Sequence, residues 1–97
     1  MKLGLKIKAI REAEGLSQTN FCKITGLSVS TLKKYETGLF EPGGVILATL
    51  LQQPRFTKYT LWLMADQTAP ESGQIAPDCA HSGLGGNESD RSEKSIG

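Results

Sequence analysis

The sequence predicts an all-α fold, five short helices in one domain followed by a disordered tail, and three observations carry that prediction. Apolar residues up to position 65 recur at helical spacing, serines and glycines punctuate them at short intervals, and the composition changes abruptly after Ala65. Ninety-seven residues make one domain at most, because domains commonly run to about 100–150 residues. With 38% hydrophobic and 6% aromatic residues, the chain can fill a modest core but not enclose the larger cavity of a typical enzyme. Function is therefore expected on the surface.

Leu3, Ile7, Ile10 and Ala13 form one stripe of a first helix, which Gly15 can stop in a left-handed turn. Ser17 is a good N-cap for a second, Gln18 to Thr25, with Phe21 and Ile24 inward and Gly26 at its end. Ser28 caps a third, which Leu32 and Tyr35 turn inward and Gly38 closes. Gly44 to Gln53 holds no charge and reads as a buried fourth helix stopped by Pro54. The fifth begins near Thr57 and carries Leu61, Trp62, Leu63 and Met64, apolar on more than one face. Residues 1–66 are read as the folded domain. Residues 67–97, rich in Pro, Gly and Ser, hold too little apolar surface to offset their chain entropy and are expected to be disordered.

The net charge of +1 conceals a division at the same boundary. Residues 1–65 carry nine basic and four acidic side chains, a balance of +5, whereas residues 66–97 carry two basic and six acidic ones, a balance of −4. A basic head points to a polyanionic partner. The longest apolar stretch, Val45 to Leu51, falls far short of the ~20 residues that cross a bilayer, and the first eight residues intersperse charge where a signal peptide would build an apolar block. A soluble cytoplasmic protein without a membrane partner is expected. Cys22 and Cys79 do not form a disulfide scaffold, and His81 is the one histidine available to activate a thiol. Cys79 and His81 lack further ligands at finger-like spacing, so no metal site is expected; Glu12 and Glu14 face different directions on a helix, and Gly83 to Gly86 follows no strand. No catalytic residue, cofactor or small-molecule ligand is expected, and the chain is not read as an enzyme.

Ser17 to Gly38 is the most informative stretch. Two short helices joined by a tight glycine-containing turn are the organisation of a DNA-binding helix-turn-helix. Cys22 is small where the helices approach, and Gly26 permits the positive φ of the turn. Setting aside the inward positions of the third helix leaves Ser30, Lys33, Lys34 and Thr37 on one outward arc, with Val29 at its border. Short hydroxyls allow close approach to a major groove, valine methyls can touch a thymine methyl, and lysine can donate to guanine acceptors. Ser17, Gln18 and the first N–H groups of the second helix form a site that could clamp a phosphate. In isolation a lysine pair such as this reads first as a solvated helix face.

The runs Arg-Glu-Ala-Glu-Gly-Leu-Ser-Gln (11 to 18), Gly26-Leu27-Ser28, Leu32-Lys33-Lys34-Tyr35-Glu36-Thr37-Gly38 and Leu61-Trp62-Leu63-Met64 together resemble the lambda-repressor-like family of the Cro/CI (XRE) type over about residues 3 to 65. The resemblance implies a five-helix transcriptional regulator, of phage or prophage repressor type, that binds a palindromic double-stranded DNA operator as a homodimer. Position by position it implies DNA contacts from Gln18, Val29, Ser30, Lys34 and Thr37, and Ser17, Ser28, Thr31 and Lys33 are expected to contact DNA beside them. Arg11 and Glu36 fall where members pair the first helix with the third; two independent surface charges are the alternative.

Three departures stand out. The loop after the third helix, Leu39-Phe40-Glu41-Pro42, holds no cation. Thr25 sits where an aliphatic side chain is usual, which predicts a less firmly packed corner. No large C-terminal domain follows, so the head must dimerise itself, with Leu61, Trp62 and Met64 the candidate surface. The alternative for that surface is Trp62 plugging the core while Leu61 and Met64 stay partly exposed. The competing functional class is an antitoxin or adaptor module that binds a partner protein, motivated by the acidic tail.

Overall fold

A computed structural model describes residues 2–77, in which helices α1 (Leu3–Ala13), α2 (Gln18–Thr25), α3 (Val29–Glu36) and α4 (Gly44–Leu51) are followed by a 3₁₀ turn, Thr57–Tyr59, that runs into α5 (Thr60–Ala65). The fold is all-α, as expected; among the described residues the sole β-type pairing is an isolated bridge between Ala69 and Gln74. One core joins the elements. Ile7 and Ile10 come from α1, Phe21 and Cys22 from α2, Leu32 from α3, Leu47 and Leu50 from α4, and Phe56, Tyr59 and Leu63 from the last segment. The Phe21 and Phe56 rings meet at 5.2 Å between centroids, tilted by 38°. Fully burying a side chain of this kind stabilises by about 1.5–3 kcal/mol, so the handful of aromatic rings weighs heavily in so small a core.

Gly4 sets how closely α1 approaches α3. A Cβ there would stand 1.8 Å from the Tyr35 carbonyl oxygen, so the two backbones could not meet with any larger residue. Gly26 does the comparable service at the α2–α3 corner: it takes the left-handed conformation (φ 84°) and donates its N–H to the Cys22 carbonyl at 2.8 Å. Thr25 meets the same corner with polar bonds. Its hydroxyl donates to the Phe21 carbonyl (3.0 Å) and accepts from the Leu27 N–H (3.4 Å), so polar bonds replace the packing of an aliphatic side chain.

Several charges fasten the frame. Lys6 is 3% exposed, and its ammonium donates to the Trp62 and Leu63 carbonyls at 3.0 and 3.3 Å, pairs with Asp66, and lies 5.1 Å from the Trp62 ring centroid. It therefore closes the C-terminus of α5, where Asp66 adopts a left-handed conformation (φ 56°) usually left to glycine. Glu14, at the end of α1, accepts from the Tyr59 hydroxyl (2.6 Å) and Arg55 (2.9 Å) and pairs with Lys58 (3.0 Å). Burial first, and the bond to Glu14 second, push the Tyr59 phenol far above its ordinary range, so it remains a donor.

Two expectations need correction. The fourth helix ends at Leu51 and is not buried all round: Leu47 and Leu50 enter the core while Val45 is 80% exposed. Absence of charge signalled burial there, but a short helix packed on one side covers one stripe only. The ordered chain also continues past 66. Pro70–Ser72 forms a 3₁₀ turn, the Gln74 side chain accepts from the Leu61 N–H (3.0 Å) and donates to the Thr57 carbonyl (3.1 Å), and the Ile75 N–H donates to the Lys58 carbonyl (2.9 Å). Ile75 packs against the core, so a single apolar residue and one amide side chain suffice to dock residues that composition alone assigned to the tail. Residues 78–97, with Cys79 and His81, lie outside the described residues.

Candidate nucleic-acid interface

Both helices of the corner begin with a serine cap. Ser17 Oγ accepts from the Asn20 N–H at 3.0 Å, and Ser28 Oγ accepts from the Thr31 N–H at 3.1 Å while donating to Thr31 Oγ1 at 2.8 Å. These bonds set the starting points and the axes of α2 and α3. They also engage hydroxyls that the sequence offered to DNA: Ser17, Ser28 and Thr31 serve the helix ends first. The N–H groups of Gln18 and Thr19 at the start of α2 have no acceptor within the helix and remain available to an anion.

The structure brings Arg11, Gln18 and Glu36 together. Arg11 Nε and Nη2 donate to the two Glu36 carboxylate oxygens at 2.8 and 3.1 Å, a bidentate pair, and Arg11 Nη1 donates to the Leu16 carbonyl at 2.8 Å. Gln18 Nε2 donates to Glu36 Oε1 at 3.1 Å. The Glu36 hydrogen bond raises the Arg11 guanidinium further above its usual value against the opposing effect of burial. Gln18 is thus half-buried, with its amide nitrogen held by the carboxylate of the ion pair. One carboxylate ties the first, second and third helices together at the C-terminal end of α3.

On α3, Leu32 and Tyr35 are buried, Val29 packs partly against the core, and Ser30, Lys33, Lys34 and Thr37 stand exposed on the far side. Thr37 closes the helix, its hydroxyl donating to the Lys34 carbonyl at 3.3 Å. Of the basic residues of the head, Lys6, Arg11, Arg55 and Lys58 are paired with carboxylates, whereas Lys2, Lys8, Lys23, Lys33 and Lys34 form no ion pair among the described residues. Three of those five lie on α2 and α3. The exposed arc is consequently the part of the corner with uncompensated positive charge and short polar side chains. Cys22 lies behind it, buried, with burial raising its thiol, so it is a packing group.

The proposed partner surface on α5 divides. Leu63 is in the core, Leu61 and Trp62 are half-buried, and Met64 is 55% exposed. Trp62 covers the Lys6 ammonium and packs on the core, which leaves Met64 as the most open apolar group of the three candidates. The sequence reading passed over Phe40 and counted Lys6 only as part of a basic balance. An aromatic residue shortly after a glycine-capped lysine helix was the available signal for Phe40; Lys6 had none, since its burial depends on where α5 ends.

The chain matches the family described as Helix-turn-helix over residues 7–54, which takes in most of α1 and all of α2, α3 and α4. It is similar to Repressor protein C of Escherichia phage P2, with 44% identity over 92 residues that cover 95% of this chain and 93% of that protein.

Proposed function

The chain belongs to the helix-turn-helix family of the Cro/CI (XRE) type, and from that premise we propose that it is a DNA-binding repressor of phage type acting in the cytoplasm. The observation that carries the mechanism is the outer arc of α3, where Lys33 and Lys34 stand without carboxylate partners beside Ser30 and Thr37. Placed in a major groove, Ser30 and Lys34 lie one helical turn apart and face base edges, with Lys34 donating to guanine acceptors. Lys33, Thr37 and the open N–H groups of α2 hold the phosphate backbone on either side and fix the register. Repression is by occlusion, since a protein seated on a promoter excludes the polymerase.

Two copies, joined through the α5 face around Met64, Leu61 and Trp62, occupy two half-sites centred about 34 Å apart, and a two-fold pair reads an inverted repeat. With few unpaired cations per copy, binding is modest, and it weakens with rising salt by a slope that follows the small number of phosphate contacts. Selection of random duplex DNA with the purified chain tests the reading. Recovery of a shared short sequence is the expected result, and its spacing and symmetry report the pairing. Failure to enrich any sequence, even at low salt, defeats it. Met64→Lys is expected to shift the protein toward monomer in sedimentation while a single half-site is still bound.

A further inference from the structure

Phe40 is an exposed aromatic residue that the fold does not need. It is 52% exposed, contributes to no part of the buried core, and sits in the loop between α3 and α4. Its position is nonetheless fixed. Gly38 turns the chain back in a left-handed conformation (φ 82°) with its N–H on the Tyr35 carbonyl (3.0 Å), and the Phe40 N–H then donates to the Lys34 carbonyl at 3.1 Å. That hairpin brings the ring to 5.1 Å from the Lys34 ammonium.

Two other ammonium groups lie near aromatic rings, Lys6 at 5.1 Å from Trp62 and Lys58 at 5.5 Å from Tyr59. Both are also held by carboxylates, Asp66 and Glu14 respectively. Lys34 differs in having no ion pair among the described residues, so the Phe40 ring is the specific restraint on its ammonium. The restraint matters because lysine is a point charge on a flexible four-carbon stem. Left free beside a duplex, such a charge is drawn to any phosphate within reach, which adds affinity without discrimination.

We infer that Phe40 is a specificity-determining positioning residue: its ring confines the Lys34 ammonium to the direction of one base position and keeps it from neighbouring phosphates. The loop that carries no cation of its own thus contributes to recognition by directing the cation of α3. This rests on the reading of α3 proposed above.

The test compares binding to a selected site, to the same site changed at the base pair that depends on Lys34, and to random duplex of equal length. Phe40→Leu keeps apolar bulk and removes the ring. It is expected to reduce the preference at that base pair by about two- to five-fold, the range of an exposed cation–π contact, with binding to random duplex no weaker than that of the wild type. Phe40→Trp is expected to retain the preference, and Phe40→Leu placed on Lys34→Ala is expected to change nothing further. An unchanged preference in Phe40→Leu, or an equal loss with and without Lys34, overturns the inference; a general loss of stability would appear in both backgrounds and so falls under the second outcome. If Lys34→Ala itself leaves the base preference of the wild type intact, the assignment of Lys34 is wrong and the role of Phe40 goes with it, whereas Lys34→Ala having its effect while Phe40→Leu has none isolates the failure to Phe40.

Discussion

At the corner between α1 and α5 a lysine is sealed into the molecule, and on the outer arc of α3 two lysines stand in water. Lys6 is held by two carbonyls and Asp66, while Lys33 and Lys34 have no carboxylate within ion-pair distance among the described residues. The same side-chain chemistry closes a helix in one place and offers charge to a partner in the other; what separates the two uses is whether the fold supplies acceptors. The count of nine basic side chains in the head therefore overstates what is free to meet a partner. Four of the nine are paired with carboxylates, and the remainder is weighted toward α2 and α3.

The contrast is broken most severely at the buried pair. Glu36→Ala leaves the Arg11 guanidinium, 12% exposed, without either carboxylate oxygen. Loss of one partner of such a pair costs about 3–5 kcal/mol, because the orphaned charge stays partly buried. Urea unfolding is expected to show that loss, and the double variant Arg11→Met with Glu36→Leu is expected to be more stable than Glu36→Ala. Equal stability of the single variant and the wild type would mean that the pair is a surface ornament. Next in size, Lys6→Met removes the donor from two carbonyls at the end of α5 and should cost about 2 kcal/mol, in the range of hydrogen bonds to a charged group. If Lys6 instead belonged with the outer lysines, its replacement would leave the unfolding midpoint in place and weaken DNA binding.

Lys34→Ala probes the other region and should reverse the pattern. Stability is expected to change by no more than about 0.5 kcal/mol, as at exposed sites without a structural partner. Discrimination at one base position is expected to fall by about 1–3 kcal/mol in competition binding. Lys33→Ala, by contrast, is expected to weaken all duplexes alike and to lower the slope of log affinity against log salt by about 1. A Lys34→Ala protein that binds with unaltered base preference removes α3 from the reading role.

How much of this was legible in the sequence follows the range of each interaction. Caps and turns are local, so Ser17, Ser28, Gly26 and the bounds of α2 and α3 could be read from neighbouring residues. The outward arc followed from helical spacing once Leu32 and Tyr35 were placed inside. The meeting of Arg11 with Glu36, 25 residues apart, came from the family resemblance, with two independent surface charges as the alternative. Contacts set by tertiary closure left no local mark. Gly4 looks like any glycine until α1 lies on the Tyr35 carbonyl, and Lys6 looks like any lysine until α5 ends above it. The docking of Ile75 and Gln74 was hidden by composition, because two residues among polar neighbours do not shift an average.

Glu14 lies between the two extremes and gives the finest test of the comparison. Its side chain is 10% exposed, but its cationic partners Arg55 and Lys58 are 45% and 40% exposed, so solvent screens much of the attraction. Burial pushes its carboxyl up, and the hydrogen bonds from Tyr59, Arg55 and Lys58 outweigh that and hold it below the ordinary carboxylate range. A carboxyl depressed in the folded state stabilises at pH values above its unfolded value, and the contribution disappears as the pH falls through the folded value. The urea midpoint is thus expected to decline below about pH 5, and Glu14→Gln should flatten part of that decline while lowering the midpoint at neutral pH. Asp66, whose carboxyl is lowered by the hydrogen bond from Lys6, keeps some acid sensitivity in the variant. A pH profile of Glu14→Gln parallel to that of the wild type would place Glu14 with the outer charges of α3, in spite of its partners.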